Sequence, residues 1–182
     1  MFIVIVSVAL AGIMLVMNVT TRSSADPLVH KQALAIAESL LEEVELMPFT
    51  ICDPNDINAA SAVTSADCTG GAGGAYDEAR LPLGPETISG VVETRHSTTD
   101  PFDNVSDYNG FDSVADGGIK DIAGNAVAGL GAYKATVSVA QQVIGGIPLP
   151  ESSLITVSVT GADGQAVVVE GVRARYAPRA LP

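Results

Sequence analysis

Apolar and polar positions follow three different rhythms along this chain. The first stretch, Met1 to Met17 (MFIVIVSVALAGIMLVM), is apolar all round. Ser7 is its one polar side chain, and the first ionisable residue is Arg22. A bilayer core needs about 20 apolar residues at about 1.5 Å of rise each. Continued through Thr21, this run predicts a transmembrane helix. Its apolar positions Phe2, Ile3, Val4, Ile5, Val6, Val8, Leu10, Ile13, Leu15 and Val16 are the side chains expected to face lipid. Two alternatives compete. A cleaved signal peptide would have a basic region before the run and a small-residue cleavage site after it, and neither is present. A buried core helix is the other, although the run is long for that.

The second rhythm is helical. Ala33, Ala37, Leu40, Val44 and Met47 recur in steps of four and three, and Leu34 and Leu41 widen the stripe. Lys31, Ala35, Glu38, Glu42 and Glu45 follow the same steps on another face, which is the pattern of a helix with one buried side. Before it, Asp26-Pro27 reads either as an N-cap followed by the first helical residue or as a kink in a helix that continues. Pro48 ends the pattern. The crowding of Glu38, Glu42, Glu43 and Glu45 reads as a solvated face, or else as a surface that meets basic residues of a neighbouring subunit.

The third rhythm has period two. Strands are expected at Ile88–Arg95, Tyr133–Ile144, Leu154–Thr160 and Ala166–Tyr176, with Gly161-Ala162-Asp163-Gly164 as a hairpin turn. One apolar sheet face and one apolar helix stripe predict a helix-on-sheet α+β domain.

Between these segments lie two irregular stretches. Cys52 and Cys68 are the only cysteines and bracket a polar loop. A disulfide is expected, with free buried thiols or a metal as alternatives; zinc is disfavoured because His30 and His96 lie far off in sequence. Gly70-Gly71-Ala72-Gly73-Gly74 lacks the Lys and the helix of a phosphate loop and reads as a connector. Residues 97–131 form a long insertion rich in Asp, Asn and Gly. Asp103, Asp107, Asn109 and Asp112 are hard oxygen donors of the kind calcium takes, but the EF-hand spacing fails, because a Gly110-centred loop would begin at Val105. Asx turns explain the same composition, so no metal site or cofactor is assigned.

The formal charge is -12, from 21 acidic and 9 basic residues, with no Trp and only four Phe and four Tyr. No basic patch is available to neutralise phosphates, so nucleic-acid binding is excluded. There is no G-x-S-x-G, no H-E-x-x-H and no Cys–His pairing in a recognisable context, so no enzyme and no small-molecule substrate is expected.

The order of parts, with the segments MFIVIVSVALAGIMLVMN, SSADPLVHKQALAIAESLLEEVELMPF and FDNVSDYNGF, resembles type IV pilins and pseudopilins. Within them it is most similar to minor pilins of the mannose-sensitive haemagglutinin (MSHA) type. The basic leader and Phe-Thr-Leu-Ile-Glu type start of that family are absent, so no residue of that motif is carried over, and a start upstream of Met1 is expected. The resemblance implies a pilin-like α+β fold: a long N-terminal helix, membrane-spanning in its first half, packed on a small antiparallel sheet. It implies residues 1–21 as a transmembrane half-helix, 22–48 as its amphipathic continuation, 49–86 as a disulfide-bearing loop, and 87–182 as a sheet head. The loops would be the variable exposed surfaces. It further implies a non-enzymatic subunit acting in pilus biogenesis, whose partners are other pilin subunits, the assembly machinery and the inner membrane. The location would be single-pass in that membrane, with the head in the periplasm. The alternative is a membrane-tethered extracytoplasmic binding module with an acidic, calcium-binding loop.

Overall fold

The computed structural model describes residues 2–175. Over residues 2–26 the side chains described are those of Leu10, Gly12, Ile13, Met14 and Met17. Helix α1 (Phe2–Leu46) has Pro27 inside it, so the helix runs through the expected cap position; the side chain of Asp26 lies outside the described residues. Strands β1 (Thr87–Ile88) and β2 (Val91–Val92) form a small hairpin. Strands β3 (Lys134–Gln141), β4 (Ser152–Thr160) and β5 (Ala166–Ala174) form an antiparallel sheet in that order.

Two expectations are corrected. Among the described residues, no helix is long and apolar enough to cross a membrane. A membrane-spanning first half and a single-pass inner-membrane location are therefore not supported. The side chains of Phe2, Ile3, Val4, Ile5, Val6, Val8, Leu15 and Val16, on which that reading rested, lie outside the described residues. The expected fold, a long helix laid on one small sheet, is corrected with it. The part of α1 that packs is the stretch of about 20 residues after Asp26, and among the described residues there are two sheets. The reason is chemical. That stretch carries Lys31, Glu38, Glu42, Glu43 and Glu45, with Lys31, Glu38 and Glu42 exposed, so its polar face belongs in water.

The buried stripe of α1 is Ala33, Ala37, Leu40 and Val44. It meets Ile155, Val157 and Val159 of β4, Val167 of β5, and Ala135, Val137 and Val139 of β3. Small residues bring the backbones together. A Cβ on Gly171 of β5 would meet Leu41 Cδ1 at 2.8 Å and would overlap the Glu45 carboxylate. At this position close approach rather than backbone conformation favours glycine, since an added Cβ would make the Leu41 and Glu45 side chains move.

The strand expected at Ile88–Arg95 is instead the β1–β2 hairpin. Ser89 and Gly90 both have positive φ, 52° and 83°, and turn the chain after two residues. The period-two reading overlooked this Ser-Gly turn.

The insertion at 97–131 is not an exposed loop throughout. Val105 and Tyr108 are fully buried, and Phe111 joins the same core. Residues 110–113 run along the free edge of β3: Gly110 N–H donates to Val137 O (3.1 Å), Val137 N–H to Phe111 O (3.0 Å), and Ser113 N–H to Ala135 O (2.9 Å). The insertion thus covers a sheet edge that would otherwise present unpaired backbone groups.

Two arginine clusters fix the helix to the rest. Arg173 donates to Met47 O (2.8 Å), and Arg175 donates to Phe49 O (3.0 Å) and Thr50 O (2.6 Å). These bonds satisfy carbonyls at and just beyond the C-terminal end of α1, where a cation is favoured. On the adjacent flank, Glu43 accepts two bonds from Arg95 (2.7 and 2.6 Å) and one from the Tyr108 hydroxyl (2.7 Å). Burial alone would raise the Glu43 pKa; the bonds from Arg95 and Tyr108 outweigh it and hold it below the usual range. Glu43 is therefore not part of a solvated acidic face, and its basic partner is within the chain. Removing one partner of a buried pair leaves an uncompensated charge. Arg95→Ala or Glu43→Ala is expected to cost roughly 3 kcal/mol in urea unfolding, whereas the paired replacement Glu43→Leu with Arg95→Met restores most of it. A loss below about 0.5 kcal/mol for the single variants would show that the pair is solvated.

Candidate metal centre

Six carboxylates converge between the disulfide loop, the β1–β2 hairpin and the 97–131 insertion. Each is placed by local backbone pairing. At the neck of the disulfide loop, Asp53 N–H donates to Tyr76 O (3.1 Å) and Glu78 N–H to Ile51 O (3.0 Å), so Asp53 and Glu78 enter from adjacent extended segments. The β1–β2 register, Thr87 opposite Val92 and Ile88 opposite Val91, places Glu86 opposite Glu93 at the open end of the hairpin. Their backbones are joined by Glu93 N–H to Glu86 O at 3.1 Å. Asp107 sits on a short 3-10 turn, Ser106–Tyr108, and its Oδ2 accepts the N–H groups of Asp103 (2.9 Å) and Asn104 (2.7 Å).

The side chains form two groups that share Asp107. Glu78, Glu86 and Asp107 make one; Glu93, Asp103 and Asp107 make the other. In each, one oxygen per residue lies within 4.8 Å of the others. Asp53, Glu78, Glu86, Glu93 and Asp107 are buried. Several bonds hold single oxygens: Ser106 Oγ donates to Glu78 Oε2, Asn55 Nδ2 to Asp103 Oδ2 (2.8 Å), and Asn55 N–H to Asp53 Oδ1 (2.5 Å). The second oxygens, Asp53 Oδ2, Glu78 Oε1, Glu86 Oε2, Glu93 Oε1, Asp103 Oδ1 and Asp107 Oδ1, are buried without a donor. So is the amide oxygen of Asn104, whose nitrogen donates to Thr50 (2.9 Å). Among the described residues the ion pairs use other acids: Arg95 with Glu43, Lys120 with Asp116, and Arg175 with Glu151, while His96, whose pKa burial lowers, lies against Asp116.

Burial is the largest influence on every one of these acids, and mutual repulsion adds to it. Glu86 is pushed up to about 11, Glu78 to about 9, Glu93 to about 8 and Asp103 to about 7; Asp107 and Asp53 are raised as well. Buried acids without cationic partners either keep their protons or take a metal ion. With no histidine and no free thiol, the donor set is all oxygen and suits a hard cation.

Of the four calcium candidates read from sequence, Asp103 and Asp107 lie in this cluster. Asn109 and Asp112 do not. Asn109 bridges Leu83 O (2.8 Å) and Val139 N–H (2.9 Å), and Asp112 closes a turn onto Val114 N–H (2.8 Å). Asx turns therefore account for part of the insertion's composition, as at Asp121, which accepts Ala123 and Asn125 N–H. Asp53, Glu78, Glu86 and Glu93 were not singled out. The symmetric placement of Glu86 and Glu93 about Ser89-Gly90 was the available signal, visible only once that pair is recognised as a turn.

Cys52 and Cys68 form the expected disulfide, buried with Ile51 and Ala62. Asp56 beside it is spoken for: burial opposes its ionisation, but bonds from the Thr69 hydroxyl and backbone outweigh that and lower its pKa.

Two outcomes follow from this geometry. In the folded chain these carboxyls hold protons well above their ordinary values of 3.8 for Asp and 4.5 for Glu. The unfolded chain releases them near those values, so the folded state binds more protons in between, and stability falls as pH rises. In chelator, the melting temperature is expected to drop from pH 5 to pH 8, as Asp103 and then Glu93 approach their folded values of about 7 and 8; a rise across that interval would contradict this picture. Replacing both cysteines by serine reopens a loop with sequence separation 16. It is expected to lower unfolding free energy by about 3 kcal/mol in a denaturant titration. No protein-family profile, curated protein or solved structure matches this chain.

Proposed function

We propose that the chain is a non-enzymatic assembly subunit of the type IV pilin kind, of the MSHA-type minor pilin class, which joins like subunits through its N-terminal helix. The observation that carries this reading is the side-chain chemistry of α1 before Pro27. Leu10, Ile13 and Met14 are exposed, at 55%, 57% and 73%. Their spacing of three and four places them on one side of the helix. Large apolar side chains in such a row favour burial against another surface. A second helix with the same apolar row is the simplest cover, and small residues such as Gly12 permit close approach of two helices. The resemblance in the order of parts supports the same reading. This reading needs no membrane-spanning segment. The head, from Phe49 onward, would serve as the surface carried by the assembly.

The test is the association state of the full chain. Sedimentation over a hundredfold concentration range is expected to show reversible oligomers. The variant Ile13→Asp with Met14→Asp is expected to stay monomeric while keeping the near-ultraviolet signature of a folded head. A wild-type chain that remains monomeric throughout, or a double variant that associates as well as wild type, would defeat the proposal.

A further inference from the structure

We infer that the carboxylates around Asp107 form a calcium-binding centre, in which Glu78, Glu86, Glu93, Asp103 and Asp107 are the ligands and Asp107 is common to two triads. The inference is independent of the assembly reading.

Three observations carry it. The first is reach. Oxygens bound to one calcium at 2.3–2.6 Å lie no more than about 5 Å apart. Both triads satisfy this, with one oxygen per residue within 4.8 Å of the others. The second is that these oxygens are shut off from solvent and have no partner other than the neighbouring carboxyls. Glu78, Glu86, Glu93 and Asp107 are each at least 97% buried, and each has an oxygen with no donor. The amide oxygen of Asn104, adjacent in sequence to Asp103 and fully buried, is likewise without a donor. An amide oxygen can only accept, so it needs either a cation or an O–H donor facing it. The third is that the scaffold is fixed before any ion arrives. Asp107 Oδ2 is held by two backbone N–H groups, Glu78 Oε2 by Ser106, and Asp103 Oδ2 by Asn55, which leaves the second oxygen of each without a donor.

The donor set selects the ion. Zinc favours nitrogen and sulfur in a four-ligand shell. Magnesium keeps most of its waters and takes one or two carboxylates. Several carboxylates with carbonyl-type oxygen, in an irregular arrangement, match calcium. The charge also fits. Five ionised ligands bring about five negative charges, against which Arg175, paired with Glu151, acts on Glu78 only at longer range, and this is enough to accept two divalent ions, one per triad.

The experiment uses the full chain with its disulfide, stripped with chelator and dialysed at pH 7.5. Calcium is titrated calorimetrically, and the melting temperature is followed in parallel. Calcium is expected to bind stoichiometrically and to raise the melting temperature, with magnesium at least tenfold weaker. Asp107→Asn and Glu86→Gln are each expected to weaken calcium about 100-fold, while Asp112→Asn, outside the cluster, leaves it unchanged. If the two cluster variants do not fold, carboxyl carbon chemical shifts of the wild-type chain decide instead. Ionisation of Glu78, Glu86 and Glu93 at pH 7.5 on adding calcium supports the site. No heat and no melting shift up to about 10 mM calcium, or carboxyls that stay protonated in its presence, would overturn it. So would an undiminished calcium response in folded Asp107→Asn.

Discussion

The close seating of the α1 stripe on the sheet is the constraint on which the rest of the molecule depends. Ala33 and Ala37 are small enough, and Gly171 bare enough, for the helix to approach β5 directly. Leu40 and Val44 then reach the Val and Ile side chains of β4. A chain with four Phe, four Tyr and no Trp lacks large rings to fill a wide gap, so a short distance between layers is how it reaches ordinary packing density. The two arginine clusters depend on this seating. Arg173 and Arg175 reach carbonyls at and beyond the helix end because β5 runs beside it. The Arg95–Glu43 pair secures the adjacent flank.

The other half of the head is built on the opposite principle. Between Phe49 and Leu130 there is little regular structure, and its centre is polar. Residues 49–53, 76–78, 86–93 and 103–107 come together around carboxylates, with a small apolar cluster of Ile51, Ala62, Tyr76 and the disulfide beside them. Burying such groups is costly, by several kcal/mol for an ion left unpaired. A cluster of this kind is stable when something offsets the repulsion, either protons or a cation. The disulfide and the short hairpin keep the segments near each other irrespective of that choice. The two halves meet at the turn Ser106–Tyr108. Asp107 faces the carboxylates, and its neighbour Tyr108 packs in the apolar core and bonds Glu43. Changes in the charge of the cluster are therefore one residue removed from the helix–sheet core.

Much of the helix–sheet layer was legible from periodicity. The stripe Ala33, Ala37, Leu40 and Val44 is the buried face, and the strands expected near 133–144, 154–160 and 166–176 are present with their ends shifted by a few residues. The Gly161–Gly164 turn and the disulfide are also where the sequence placed them. Local rules suffice there, since a strand or helix with one apolar face has few ways to bury it. The strand expected at Ile88–Arg95 failed because two positive-φ residues, Ser89 and Gly90, outweigh four flanking β-formers. The membrane-spanning helix was argued from the length of one uncharged apolar run and from the resemblance, and no described helix has the length and apolarity to cross a membrane.

By itself, the sequence determined which faces of the helix and strands are apolar and which two cysteines stand to pair. These follow from residue type and spacing over a few turns or strands. Only the tertiary structure decided that Glu43 meets Arg95, 52 residues away, and that the insertion seals the edge of β3. Only it brought Asp53, Glu78, Glu86 and Glu93 to Asp103 and Asp107. Acidic residues have no periodicity that marks convergence. Whether a carboxylate is a solvated surface charge or a buried ligand depends on which other segments fold against it, and that is set by long-range packing rather than by its neighbours in the chain.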